Sequence, residues 1–117
     1  MASTAPDNEL KARHPDLVAE AAGAAFWDAT LRLIDAGFDV NASRTATALH
    51  HAAGMGRPDV VRALLDAGAD PSAIDEVFNA TPIVWAETMS KRLGGPNAIG
   101  ADWHAVIELL ADQTTGS

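Results

Sequence analysis

The sequence predicts an all-α solenoid in which helix-turn-helix units, joined by short hairpin tips, stack side by side. Three observations carry this prediction. The segment TATALHHAAGMGRPDVVRALLDAGADPSA, residues 45–73, has imperfect copies on both sides; apolar residues within the copies recur at helical spacing; and the first two copies keep a constant period. Such a unit leaves an apolar face that only its neighbour can cover, so repetition of this kind means stacking.

The first unit, residues 16–42, contains LVAEAAGAAFWDATLRLIDAGFDVNA from Leu17 to Ala42. Asp35, Ala36, Gly37 and Asp39 correspond to Asp66, Ala67, Gly68 and Asp70, and the same offset carries Ala21 and Ala22 onto Ala52 and Ala53. The middle unit, residues 43–73, starts its first helix at Thr47, whose hydroxyl can cap a free N–H. Its second helix opens at Pro58 and Asp59, a proline where no donor is needed and a carboxylate where the helix dipole favours one. Val60, Val61, Leu64 and Leu65 then share one face, while Gly37 and Gly68 stop their helices as residues that tolerate a left-handed backbone.

The third unit, residues 74–112, starts at Thr81 and Pro82. The step from Thr47 to Thr81 is close to the period of the first two units, whereas the step from Leu64 and Leu65 to Leu109 and Leu110 is clearly longer, so an insertion separates its helices. It is expected as a loop near residues 90–102, where Gly94, Gly95, Pro96 and Gly100 interrupt a helix, and Asp102 is the expected cap of the last helix. Residues 1–15 read as a disordered polar tail and 113–117 as a short C-terminal one.

Composition narrows the function classes. At 117 residues and 48% hydrophobic composition, the chain suits one domain with its own core. Its apolar runs fall well short of the roughly 20 residues of a membrane span, and residues 1–10 do not resemble a signal peptide. With no cysteine, disulfides and thiol catalysis are excluded, and a cytoplasmic setting is expected. A net charge of -8 disfavours nucleic acid and anionic membranes as partners. Richness in Ala, with Arg in preference to Lys, points to a GC-rich bacterial genome.

The middle unit resembles an ankyrin repeat. Thr47, Leu49, His50, Ala52, Ala53, Gly56, Val60, Val61, Leu64, Leu65, Gly68, Ala69 and Asp70 follow the family pattern; Ala48 replaces its proline, which returns as Pro82 in the third unit, and Val84 and Glu87 depart from it. The resemblance covers about residues 16–112 and implies a non-catalytic protein-binding scaffold, a small adaptor or regulator acting through a concave surface. Neutralising a toxin by covering a basic active site is one form such a role takes. It also implies that His50 is structural, bonded to the threonine at the helix start.

The variable inner positions implied by the resemblance are Ser43, Arg44 and Ala46 at the first tip and His51, Gly54 and Met55 on the middle inner helix. The third unit adds Asp75, Glu76, Val77, Phe78 and Ala80, with Trp85, Thr88 and Met89 on its inner helix. An apolar strip bordered by acid suits a partner segment with apolar anchors and basic residues. Trp27 and Trp103 both align with Pro58 and are expected to pack at the start of their helices.

An alternative reading places a small-molecule or catalytic pocket between the third unit and its insertion, lined by Trp85, Glu87, Met89 and Trp103. Apolar residues at an end of the stack could instead mediate a homodimer. No cofactor and no metal site is expected: His50 and His51 point about 100° apart on one helix, unlike a gripping i, i+4 pair. His104 and Glu108 do have that spacing, but read as a surface ion pair. GMGRPD lacks the remainder of a phosphate loop and reads as a turn. The sequons at Asn41 and Asn79 fall at hairpin tips and are not expected to be glycosylated.

Overall fold

Six helices form the stack in the computed structural model, which describes residues 11–43, 45–93 and 101–115. They are α1 (Leu17–Gly23), α2 (Trp27–Asp35), α3 (Ala48–Gly54), α4 (Pro58–Asp66), α5 (Pro82–Leu93) and α6 (Trp103–Thr115). No strand occurs among the described residues. The helices pair within units as α1–α2, α3–α4 and α5–α6. Between units α1, α3 and α5 pack as an inner layer, and α2, α4 and α6 as an outer one. This is the helical solenoid that the repeat predicts.

Local chemistry explains the helix boundaries. Thr47 caps α3 in a reciprocal box: its side chain accepts from the His50 backbone N–H at 3.3 Å, while the Thr47 N–H donates to His50 Nδ1 at 3.2 Å. The outer helices α2, α4 and α6 begin at Trp27, Pro58 and Trp103, the three positions that align in sequence. Asp102 caps α6, accepting from the Ala105 N–H at 3.1 Å. Gly37 and Gly68 follow their helices with φ of 88° and 96°.

Burial centres on the middle unit. Ala48, Leu49, Ala52, Ala53, Val60, Val61 and Leu64 are all fully buried, joined by Val18 and Ala22 before them and by Ala86, Val106 and Leu110 after. The alanine pair keeps the inner helices close. Gly54 tightens this further: a Cβ there would stand 3.3 Å from Trp85 Cε3 and 3.6 Å from Met89 Cγ.

Three expected boundaries shift. α5 runs to Leu93, so residues 90–93 of the expected insertion loop lengthen the inner helix, with Lys91 and Arg92 in its last turn where the dipole favours cations. Residues 94–100 lie outside the described residues. α6 continues past 112 to Thr115, since a helix with one face packed can extend into polar residues at little cost. Within the expected disordered tail, residues 11–13 are helical and the Lys11 ammonium sits 5.5 Å from the centre of the Phe38 ring. Residues 1–10 lie outside the described residues.

Candidate functional site

The tip joining the second and third units, residues 74–80, is built around one carboxylate. Asp75 is 1% exposed, and its two oxygens accept four hydrogen bonds: from the backbone N–H groups of Val77 (2.9 Å), Phe78 (2.7 Å) and Ala80 (2.9 Å), and from the Trp85 indole N–H (3.0 Å). Burial pushes its pKa up, but the hydrogen bonds from Phe78, Trp85, Ala80 and Val77 outweigh it and hold the group at about 2. Asp75 is therefore ionised and internally consumed. This corrects its expected place on the acidic border of a binding strip, since a carboxylate with four internal donors has nothing left for a partner.

The same network holds Trp85. Its ring meets His50, His51 and Phe78 edge-on, at centroid distances of 5.2, 5.6 and 6.0 Å. His50 is fully buried, with Nε2 2.8 Å from the Ala80 carbonyl and Nδ1 2.8 Å from the Thr47 hydroxyl. Because Nδ1 also accepts from the Thr47 backbone N–H, the consistent tautomer carries its proton on Nε2, donating to Ala80. Burial lowers the His50 pKa against the opposing Ala80 carbonyl and the Asp75 charge, and the side chain ties two units together. It has the structural role expected of it. The pKa of His51 is lowered by burial and by His50; its imidazole lies between Trp85 and Gly23, where a Cβ would come within 3.2 Å of Nε2.

The aromatic network leaves an apolar surface on its outer side. Val77 and Phe78 are 64% and 72% exposed at the tip, Ile74 is exposed beside them, and Met55 is exposed at the end of α3. A depression of about 280 Å³ follows the inner helix α5, lined by Phe78, Ala80, Val84, Trp85, Thr88 and Met89, with Arg92 as its cation. The structure thus gathers Phe78, Ala80, Trp85 and Met89 on one surface, with Val77 beside Phe78 in the exposed tip and His51 behind Trp85.

Other expected contact residues are placed elsewhere. Ala46 is buried, because it leads directly into the Thr47 cap, and Arg44 lies outside the described residues. The alternative pocket of Trp85, Glu87, Met89 and Trp103 does not form among the described residues. Trp103 donates from Nε1 to the Gly54 carbonyl at 2.9 Å, which anchors the start of α6 on the end of α3, and Glu87 is an exposed residue outside the depression. No group of three or more metal-ligating side chains occurs among the described residues, and His104 and Glu108 form an exposed pair at 3.3 Å. No helix among them is long and apolar enough to cross a membrane.

Sequence reasoning missed two features of this site. Arg92 stood inside the expected loop, and only the longer α5 brings it alongside Met89. The inward turn of Asp75 had one legible signal, Asn79 four positions on, which takes the left-handed conformation (φ 53°) that closes the tip over the carboxylate.

Comparison with known proteins agrees with this architecture. Residues 46–76 match the family model for the ankyrin repeat. The chain is 43% identical over 75 residues to palmitoyltransferase Hip14 of Drosophila melanogaster, covering 60% of this chain and 12% of that protein. It is 52% identical over 44 residues to the E3 ubiquitin-protein ligase hecd-1 of Caenorhabditis elegans, covering 38% of this chain and 2% of that protein. The chain therefore spans a small fraction of the length of these relatives. Residues 46–76 thus match an ankyrin repeat, a kind of repeat that in general serves protein–protein interaction.

Proposed function

We propose that this ankyrin-repeat protein is a non-catalytic adaptor or regulator in the cytoplasm that captures another protein on the face formed by α5 and the 74–80 tip. One observation carries the reading: Val77 and Phe78 are 64% and 72% exposed on a tip whose backbone is pinned by a buried carboxylate. Large apolar side chains held rigidly in water contribute little to the monomer, yet give a partner contact area at low entropic cost. The two enzyme relatives lend their catalytic roles no support here, because they match over 75 and 44 residues of this chain, a small share of their own length.

Asp75, one of the acids expected to border the apolar strip, is spent within the tip, while its neighbour Glu76 is exposed beside Val77. The alternative pocket was expected to include the insertion, whose residues 94–100 lie outside the described residues; among the described ones, Glu87 and Trp103 do not line the depression along α5.

The test is affinity capture from a cell lysate with wild type, Met55→Glu and Phe78→Glu as baits. Both substituted positions are exposed, so thermal unfolding midpoints should stay within a few degrees of wild type. A partner held by wild type and lost by Phe78→Glu is the expected result. Equal capture by all three baits would refute the assignment of this face.

A further inference from the structure

Within the face proposed above as a protein-binding surface, the depression along α5 is lined by a cation, although the chain as a whole is acidic and Glu76 stands exposed in the tip. The oxygens of the ionised Asp75 are all engaged by four internal donors and face no ligand, and the charged side chain lining the depression is Arg92. Glu87 lies two positions after Trp85 on α5, about 200° around the helix, and is outside the depression. Arg92 lies seven positions after Trp85, two turns along and within about 20° of the same face. The depression therefore runs from an aromatic end, where Phe78 and Trp85 meet at 6.0 Å and 74°, to a cationic end about 10 Å further along α5.

We infer that this depression binds an extended acidic peptide segment of a partner protein, with a bulky apolar side chain at Phe78 and Trp85 and a carboxylate three positions later at Arg92. The inference rests on the reading of this face as the binding surface. The spacing follows from chain geometry: in the polyproline II conformation the rise is about 3.1 Å per residue with three residues per turn, so side chains at i and i+3 share a face about 9 Å apart. An arginine fork then accepts a carboxylate through paired N–H donors.

At about 280 Å³ the depression has room for one bulky apolar side chain. Its aromatic wall is already ordered, because Trp85 is bonded to Asp75 and packed against two histidines, so little side-chain freedom is lost on binding. The net charge of -8 opposes this at long range. Charges beyond a Debye length, about 8 Å at physiological salt, are largely screened, so the contact at Arg92 decides which segment stays bound while the global charge slows its arrival.

The experiment is selection of random ten-residue peptides displayed on phage against the full chain, followed by fluorescence anisotropy of the enriched peptides with wild type, Phe78→Ser and Arg92→Glu. Circular dichroism confirms that each variant keeps its helicity. Enriched sequences are expected to share a bulky apolar residue with Asp or Glu three positions later. Phe78→Ser should abolish their binding, and Arg92→Glu should weaken it at least about tenfold and favour peptides with Lys in place of the acid. Peptides that depend on Phe78 but carry basic residues, or that bind Arg92→Glu as tightly as wild type, would overturn the acidic assignment and leave the binding face standing. Enrichment of no Phe78-dependent peptide would overturn both.

Discussion

The first and middle units have the same pattern and different neighbours. Ala48, Ala52, Val60 and Leu64 in the middle unit are each fully buried, whereas their counterparts one period earlier, Leu17, Ala21, Ala29 and Leu33, line an open apolar groove at the edge of the stack, with Phe26 65% exposed beside them. The two sets differ at two positions, Ala48 for Leu17 and Val60 for Ala29, but both are apolar throughout. The difference in burial lies in whether a preceding helix pair covers them, so burial here is a property of the stack rather than of the repeat.

Removing side chains at paired positions should separate the two units most clearly. Leu64→Ala is expected to cost about 3–4 kcal/mol, since a fully buried leucine leaves a cavity, and Leu33→Ala about 1–2 kcal/mol, because its site is already open on one side. Urea unfolding of both variants measures this. Equal costs would mean that the groove at the first unit is covered in solution.

The tips extend the contrast. In the connections after α2 and α4, Asp39 accepts from the Asn41 N–H at 2.8 Å and its counterpart Asp70 from the Ser72 N–H at 2.9 Å, both exposed; five residues after Asp70 in the same connection, the carboxylate of Asp75 is buried instead. Asp75→Ala strands several donors and is expected to cost about 2–3 kcal/mol. The acid limb of stability should show this as well. His50 and His51, whose folded pKa values lie below the ordinary 6.5, resist protonation, so stability begins to fall as pH drops below about that value. Asp75, held at about 2 against an ordinary 3.8, gives stability that is present above 3.8 and lost as pH falls toward 2. Thermal melts across this range should retain the histidine phase in Asp75→Ala and show a smaller lower one, since Asp70, whose pKa is also lowered by its hydrogen bonds with Ser72, remains.

The interhelix turns give a smaller effect with opposite signs. Gly56 has φ of 69°, and a Cβ there would come within 2.8 Å of the Ala101 Cβ, while Ala25, its counterpart in the first unit, takes φ of 63° with a side chain. Gly56→Ala should therefore destabilise by about 2 kcal/mol, combining backbone strain with a clash, and Ala25→Gly should stabilise by about 0.5–1 kcal/mol. Thermal unfolding midpoints moving in the same direction for both would show that the two turns are not equivalent.

The helix starts at Pro58, Pro82 and Trp103, the caps at Thr47 and Asp102, the glycine stops and the structural role of His50 were legible in the sequence, because each depends on groups close together along the chain or on a repeat position. The binding face was legible in part. Phe78, Trp85 and Met89 were placed together from their repeat positions, but Asp75 was read as exposed, and Arg92 was hidden in what looked like a loop. Trp103 bonds the Gly54 carbonyl on a different unit, a pairing that spacing alone does not encode.

Local chemistry was thus settled by the order of residues: capping, helical periodicity and left-handed turns are short-range effects, and the constant period of the first two units dictates that they must stack. Stacking itself decided the rest. Which apolar face is covered, which carboxylate turns inward and which arginine lines the depression depend on groups brought together from distant parts of the chain. Burial and hydrogen-bond satisfaction are set by that assembled environment, and no single unit contains it.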